Sequence, residues 1–255
     1  MENLFDLTGK TAIVTGASSG LGVQFAKALA RQGADVAITA RRTEKLELVK
    51  EEIEGFGVKC LSLKCDVGVT DEIVSMVSAV KERFGRVDIL VNNAGVGKAF
   101  PAEDQTDEQW RSVIDINLNS AYYAAREAGK VMIGQKYGRI INIASLHSSV
   151  CMAGSPISAY CASKGGLMML TKSLACEWAK HGITVNAIGP AYFPSEMTAG
   201  IVEDPSFLAA VKAYCPMGRI GRDGELDGAL IYFASDASSY TTGQLLTVDG
   251  GWTAL

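Results

Sequence analysis

Along the chain, short runs of β-branched and aliphatic residues alternate with longer stretches whose apolar positions recur every three to four residues. Thr11–Thr15 lacks the polar alternation of a half-exposed strand and suits one covered on both faces, whereas Gly20–Arg31 repeats its apolar residues at helical spacing. The same reading predicts strands at Thr11–Thr15, Asp35–Ala40, Lys59–Cys65, Asp88–Asn92, Arg139–Ala144, Thr184–Ile188 and Leu245–Val248. Crossover helices are predicted at Gly20–Arg31, Glu44–Glu54, Asp71–Phe84, Glu108–Gly129, Ser158–Lys180 and Glu225–Ala234. Strands that alternate with helices build βαβ units, so the pattern predicts one α/β domain over residues 1–255, a doubly wound parallel sheet with helices on both faces. Residues 191–220 break the alternation, with Pro194, Pro205 and Pro216 punctuating an apolar stretch that has no strand pattern. Ligands bind beyond the carboxyl ends of strands in such a sheet, so this insertion after the sixth strand is expected to form a small lid over a substrate.

Composition narrows the class. Of the 255 residues 48% are hydrophobic and 20% charged, enough apolar side chains for a core and too many for disorder. A net charge of -4 and the lack of a long Lys/Arg run give no signal for nucleic acid or a membrane surface, and point to small-molecule partners. The six cysteines form no CxxC pair and no His/Cys cluster has metal-ligand spacing, so no metal site is expected and the thiols are expected to be reduced. The segment Met1-Glu2-Asn3-Leu4-Phe5-Asp6 lacks the basic-then-apolar order of a signal peptide, which leads to the expectation of a cytoplasmic protein.

The chemistry-bearing residues fall at the ends of the predicted strands. Thr15-Gly16-Ala17-Ser18-Ser19-Gly20-Leu21-Gly22 follows the first strand and opens a helix. Glycines there allow a tight turn and close approach of a pyrophosphate, and the helix N-terminus offers it free N–H groups. Asp66-Val67 follows the third strand and Asn92-Asn93-Ala94-Gly95 the fourth, where polar groups can meet adenine and ribose, or else cap a helix and hold a turn. Tyr160 and Lys164, four apart, share a helix face, and a nearby ammonium favours the anion of a phenol whose ordinary pKa is about 10. The second strand ends at Ala40, eighteen residues beyond Gly22, where NAD-selective folds carry a carboxylate for the ribose hydroxyls. Here Arg41 and Arg42 follow instead, and a guanidinium suits a 2′-phosphate, which predicts NADP as cofactor.

Taken together, the Gly-rich turn, Asp66-Val67, Asn-Asn-Ala-Gly, the Ile143-Ala144-Ser145 strand end and Tyr160-Cys161-Ala162-Ser163-Lys164 occur in an order and spacing that resembles the short-chain dehydrogenase/reductase family. The resemblance extends from Gly9-Lys10 to Val248-Asp249-Gly250-Gly251 and implies a Rossmann-like seven-stranded fold. It also implies catalytic roles for Asn117, Ser145, Tyr160 and Lys164, the tyrosine exchanging the proton and the lysine also binding the nicotinamide ribose. Cofactor contacts are implied at Gly16, Ser18, Ser19, Gly20, Leu21, Gly22, Arg41, Arg42, Asp66, Val67, Asn93, Ala94, Gly95, Tyr160, Lys164, Pro190 and Ser195. Three positions depart from the usual pattern: Ala191 where glycine follows Pro190, an uncharged Ser19, and a Ser145–Tyr160 spacing two residues longer.

Ile157-Ser158-Ala159-Tyr160, Glu177-Trp178, Met217-Gly218-Arg219 and Gly250-Gly251-Trp252-Thr253 resemble most the gluconate 5-dehydrogenase branch. That implies a secondary alcohol/ketone pair on a sugar acid such as gluconate and 5-ketogluconate. Substrate contacts are then expected at Ser145, Tyr160, His147 and Lys98, with an exposed-loop reading open for His147 and for Lys98. Met152, Tyr192, Phe193, Met197 and Phe207 suit an apolar pocket as well, so a hydroxysteroid or 3-oxoacyl thioester stands as the alternative. A non-catalytic dinucleotide-binding regulator would need no proton donor, and the intact Asn117, Ser145, Tyr160 and Lys164 set argues against it. A homotetramer is expected from the family and from Ala121, Ala124, Ala125, Gly165, Leu167 and Leu170, small and apolar residues that exceed one core-facing stripe.

Overall fold

Seven parallel strands form one sheet in a computed structural model that describes residues 3–254. Met1, Glu2 and Leu255, where the 1–255 span and the amino-terminal reading begin or end, lie outside the described residues. The strands are β1 (Thr11–Thr15), β2 (Asp35–Ala40), β3 (Cys60–Lys64), β4 (Ile89–Asn92), β5 (Gly138–Ile143), β6 (Ile183–Pro190) and β7 (Leu245–Val248). Their order is β3-β2-β1-β4-β5-β6-β7, so the winding reverses between β1 and β4 and leaves a crevice at their carboxyl ends.

Alternate residues of each strand feed two separate cores. In β1, Ala12 and Val14 face one side and Ile13 the other; in β4, Ile89 and Val91 join the first and Leu90 the second. The first layer is closed by α1 (Gly20–Arg31), α2 (Thr43–Glu54) and α8 (Asp227–Ala234) through Phe25, Leu29, Leu46, Ile53, Leu230 and Phe233. Opposite it, α3 (Thr70–Phe84), α5 (Ser120–Gln135) and α6 (Ser158–Trp178) bury Ile73, Val77, Val80, Ala124, Ala128 and Leu174. Uninterrupted burial along β1, β4, β5 and β6 explains why their sequences show no polar alternation.

Two elements differ from the sequence expectation. The helix expected over Glu108–Gly129 is broken: α4 (Asp107–Ile114) passes through a π turn at Asp115–Asn119 before α5. Periodicity is blind to this insertion, because a π turn displaces the apolar stripe without interrupting it. The stretch 191–220 contains α7 (Pro205–Tyr214), whose start is fixed by Asp204, which accepts from the N–H of Ser206 at 2.8 Å and Phe207 at 3.0 Å with Pro205 at the first helical position.

Candidate active site

The crevice is built on the turn after β1. Gly16 has φ 67°, and a Cβ there would lie 2.8 Å from Ala94 Cα. A Cβ on Gly22 would meet Gly16 O at 2.3 Å and Asn93 Nδ2 at 2.6 Å, so only glycine lets α1 start against the turn. Thr15 ties β1 to β4: its Oγ1 accepts from the N–H of Asn93 and of Ala94, both at 3.0 Å. The Asn93 amide donates to Thr15 O at 2.9 Å and Gly16 O at 3.3 Å, so its side chain holds the Gly-rich turn in place. Ser19 caps α1 through its backbone only, and the first turn carries no acidic residue, which leaves the helix amides and their positive end free for an anion.

Around this turn stand Ser18, Ser19, Arg41, Arg42, Asp66 and Val67, each after the carboxyl end of its strand. Arg42 donates to Ser18 Oγ at 3.1 and 3.2 Å and to Ser19 Oγ at 2.8 Å. Arg41 is largely exposed, 3.9 Å from Asp66. Asp66 does not cap α3; its Oδ1 accepts from Gly68 N at 2.9 Å, folding a local turn. Pro190 ends β6, and Ser195 lies close enough to Gly20 that a Cβ there would be 3.2 Å from the Ser195 Cβ. Glycines where a bound pyrophosphate needs backbone approach, unspent helix amides and an Arg/Ser cluster at the end of β2 together fit a 2′-phosphorylated dinucleotide.

The structure brings Asn117, Ser145, Tyr160 and Lys164 together beside Gly95. Tyr160 is half-buried and hydrogen-bonded to Ser145; burial pushes its phenol above the ordinary value, and that hydrogen bond pulls the other way. Lys164 is buried, donates from Nζ to Ile143 O at 2.7 Å and lies 5.7 Å from the centre of the Tyr160 ring. Burial alone brings its ammonium down to about 8. A Cβ on Gly95 would sit 3.7 Å from Lys164 Nζ and 3.3 Å from Asn117 Oδ1, so the floor of the crevice runs past both groups.

Asn117 sits in the π turn, where the extra residue redirects its side chain toward the strand ends. Its amide accepts from Val96 N at 2.8 Å and donates to Val96 O at 2.9 Å and to Ser163 Oγ at 3.1 Å. Ser163 in turn donates to Tyr160 O at 2.7 Å. Sequence reasoning missed this bridging role of Ser163, although it lies inside the Tyr160–Lys164 motif. Thr15, Lys45 and Glu196 were missed too, because their partners lie 78, 151 and 154 residues away in sequence.

The exposed-loop reading of His147 is overturned. The ring is buried edge-on to Tyr160 at 6.0 Å and to Tyr192 at 6.4 Å, with Nδ1 3.0 Å from Val150 O. Burial lowers its pKa, so at neutral pH it is an uncharged ring able to hydrogen-bond. Lys98 is exposed, and among the described residues its hydrogen bond goes to Ser112 Oγ at 3.3 Å. Tyr192 donates to Met152 Sδ at 2.9 Å and packs on Phe207 and Trp252 with ring centres 4.7 and 5.4 Å apart, forming an aromatic wall. Behind it a cavity of about 430 Å³ is lined by Ala191, Tyr192, Phe193, Cys215 and Trp252, apart from the Ser145–Tyr160–Lys164 group.

A dinucleotide crevice at the sheet reversal beside a Tyr/Lys/Ser/Asn cluster defines an oxidoreductase of the Rossmann type. The family model described as "Enoyl-(Acyl carrier protein) reductase" matches residues 16–253. The chain is 38% identical over 251 residues to the gluconate 5-dehydrogenase of Gluconobacter oxydans (strain 621H), covering 98% of this chain and 97% of that protein. It is 39% identical over 253 residues to the 2-dehydro-3-deoxy-D-gluconate 5-dehydrogenase of Pseudoalteromonas atlantica, with 99% of each covered. Among solved structures, the gluconate 5-dehydrogenase of Burkholderia cenocepacia J2315 in complex with NADP and tartrate superposes with a TM-score of 0.95 at 34% identity, over 99% of this chain and 98% of that one. The chain belongs to the short-chain dehydrogenase/reductase family and is an oxidoreductase acting on CH–OH groups.

Proposed function

We propose that this protein is an NADP-dependent oxidoreductase that interconverts a secondary alcohol and a ketone on a sugar acid, with gluconate and 5-ketogluconate as the pair to test. The observation that carries the reading is the half-buried Tyr160, bonded to Ser145 with the Lys164 ammonium behind its ring, at the end of β5 beside the crevice. When bound, NADP(H) supplies or takes the hydride at the carbinol carbon. Tyr160 gives its phenolic proton to the ketone oxygen, or takes one from the alcohol. Ser145 hydrogen-bonds that oxygen, Lys164 stabilises the phenolate and binds ribose hydroxyls, and Asn117 fixes the floor on which both stand.

Gly16, Ser18, Ser19, Gly20, Leu21, Gly22, Arg41, Arg42, Asp66, Val67, Asn93, Ala94, Gly95, Tyr160, Lys164, Pro190 and Ser195 form the proposed cofactor contacts, with the 2′-phosphate at Arg42. NADP is supported by Ala40 and the paired arginines, and by the NADP in the Burkholderia enzyme. The sugar-acid substrate is supported by the relatives and by the tartrate, a hydroxy acid, held by that enzyme. Residues 191–220 serve as the substrate lid, and neutral His147 lines the pocket, while Lys98, bonded elsewhere, is left out. Six free thiols support a reducing compartment, the cytoplasm, and a homotetramer is proposed from exposed apolar residues on α5, α6 and beside β7. Among the described residues no helix is long and apolar enough to cross a membrane.

The aromatic wall of Tyr192, Phe207 and Trp252 favours a second reading, a more apolar ketone such as a hydroxysteroid or 3-oxoacyl thioester. The test is NADPH oxidation followed at 340 nm with 5-ketogluconate, a steroid ketone and a 3-oxoacyl thioester. Turnover is expected with 5-ketogluconate and lost by 10²-fold or more in Tyr160→Phe. An inert 5-ketogluconate beside a reactive steroid or thioester moves the assignment to the second reading. Retention of more than about a tenth of the activity in Tyr160→Phe removes the tyrosine from its role.

A further inference from the structure

The segment between β6 and α7 is fastened to the cofactor crevice by one carboxylate. Glu196 accepts from Arg42 Nη1 at 3.2 Å, from Arg42 Nη2 at 2.8 Å and from Lys45 Nζ at 2.7 Å. Ser19 also hydrogen-bonds it, and these partners together hold its pKa at about 2, so it is an anion at any working pH. The same guanidinium is held by Ser18 and Ser19. The donors that Arg42, Lys45 and Ser19 would offer to a phosphate on the ribose of a nucleotide are thus already wrapped around an anion from the protein itself, with Ser18 accepting from the same guanidinium. Ser195, the preceding residue, is folded down onto the Gly-rich turn at Gly20, and Tyr192, three residues earlier, packs edge-on against His147 beside Tyr160. One stretch of chain therefore spans from the Arg42 cluster to the substrate side.

We propose that Glu196 is an internal surrogate for the 2′-phosphate, which it must yield to when a 2′-phosphorylated nucleotide binds, and that it sets the cofactor selectivity of the site by this competition. The inference rests on the NADP reading above. A phosphate monoester carries about −1.5 to −2 charges at neutral pH and three acceptor oxygens, against one charge and two oxygens for Glu196. Both anions cannot share Arg42 and Lys45 without repulsion, so the phosphate displaces the carboxylate and frees the segment it anchors. A nucleotide without the 2′-phosphate leaves Glu196 in place and meets no competition. The three side chains are each about half exposed, so the competition is screened by salt and modest in size.

The experiment is calorimetric titration of the full-length protein with 2′,5′-ADP and with 5′-AMP, in wild type, Glu196→Gln, Arg42→Ala and the variant carrying both changes, at low and high salt. Glutamine keeps the shape and removes the charge on an exposed side chain, and a thermal melt checks the fold. Glu196→Gln is expected to tighten 2′,5′-ADP by about three- to tenfold at low salt, less at high salt, and to leave 5′-AMP unchanged. Arg42→Ala is expected to weaken 2′,5′-ADP and to erase the difference made by Glu196→Gln in the double variant. Tight 2′,5′-ADP binding by wild type that Glu196→Gln fails to improve, or worsens, overturns the proposal while the NADP reading stands. Binding of 2′,5′-ADP no tighter than 5′-AMP in every variant removes the NADP reading and the proposal with it.

Discussion

Lys164 is buried at 5% exposure, and among the described residues its ammonium donates to the carbonyl of Ile143. Its pKa of about 8 against an ordinary 10.5 means the unfolded chain binds more protons than the folded one between those two values. Wild-type stability therefore gains, relative to a variant without the amine, as pH rises through that window, by up to about 3 kcal/mol. Lys164→Met is expected to lose activity and to show its stability advantage, or smallest deficit, at pH 7, shifting toward wild type between about pH 8 and 10.5 in paired urea melts. A stability difference that does not move with pH means that the ammonium is not desolvated. Tyr160 makes the complementary prediction. Its phenol is raised by burial and so is protonated at neutral pH, ready to act as an acid. Ketone reduction should hold at neutral pH and decline in alkali, while kcat/KM for alcohol oxidation should climb with pH as the phenolate forms. Parallel pH profiles in the two directions would remove Tyr160 as the group that exchanges the proton.

At the scale of elements, the site depends on a helix that does not run straight. The π turn at Asp115–Asn119 sends Asn117 to both backbone groups of Val96 and to Ser163, so the π turn, the loop after β4 and α6 meet at one amide. Asn117→Ala leaves the Val96 N–H and C=O without that partner, at about 1–3 kcal/mol of folding stability, and frees the floor under Lys164. Denaturant melts should register that loss. Turnover should fall with little change in 2′,5′-ADP affinity, because the phosphate end lies on β1 and β2. Equal loss at both ends would make Asn117 a general packing residue. The inner strands were legible in the sequence because burial on both faces leaves aliphatic runs, and β1 and β2 fall where those runs do; the half-exposed edge strand β7 was legible from its short Leu-Leu-Thr-Val run. The Gly-rich turn and the Tyr160/Lys164 pair were legible through their order along the chain relative to the strands and to the other motifs, since neither spacing alone carries the reading. The π turn was not, since it shifts a helical stripe without ending it, and α7 was hidden among prolines although Asp204-Pro205 is a helix-start signal. Glu196 was illegible for another reason: its partners Arg42 and Lys45 belong to the far end of the chain and meet it only through the sheet order.

For the whole molecule, four of the six small and apolar residues that suggested assembly do something else, while Gly165 and Leu170 are partly exposed. Ala121, Ala124, Ala125 and Leu167 are at most 5% exposed and pack inside the chain's own core. What α5 and α6 leave outside is Tyr122 at 41% and Met169 at 63% exposure. A second apolar surface lies at the open edge of the sheet, where β7 shows Leu246 at 39% and the loop before it leaves Tyr240 uncovered. An unpaired edge strand and large apolar side chains left in solvent both favour pairing with a second copy. Two distinct self-complementary surfaces, on the helical side and at the sheet edge, are what a tetramer of two crossed two-fold axes requires, whereas one alone gives a dimer. Burying the α5/α6 surface would also brace the helix that holds Tyr160 and Lys164, linking assembly to the geometry of the site. Multi-angle light scattering is expected to give a four-chain species at micromolar concentration. Met169→Lys, an exposed change with little effect on the folded monomer, should reduce it to two chains through the charge placed in the α5/α6 contact. A monomer in the wild type sinks the tetramer outright, and a Met169→Lys protein that stays at four chains moves the helical contact to another face.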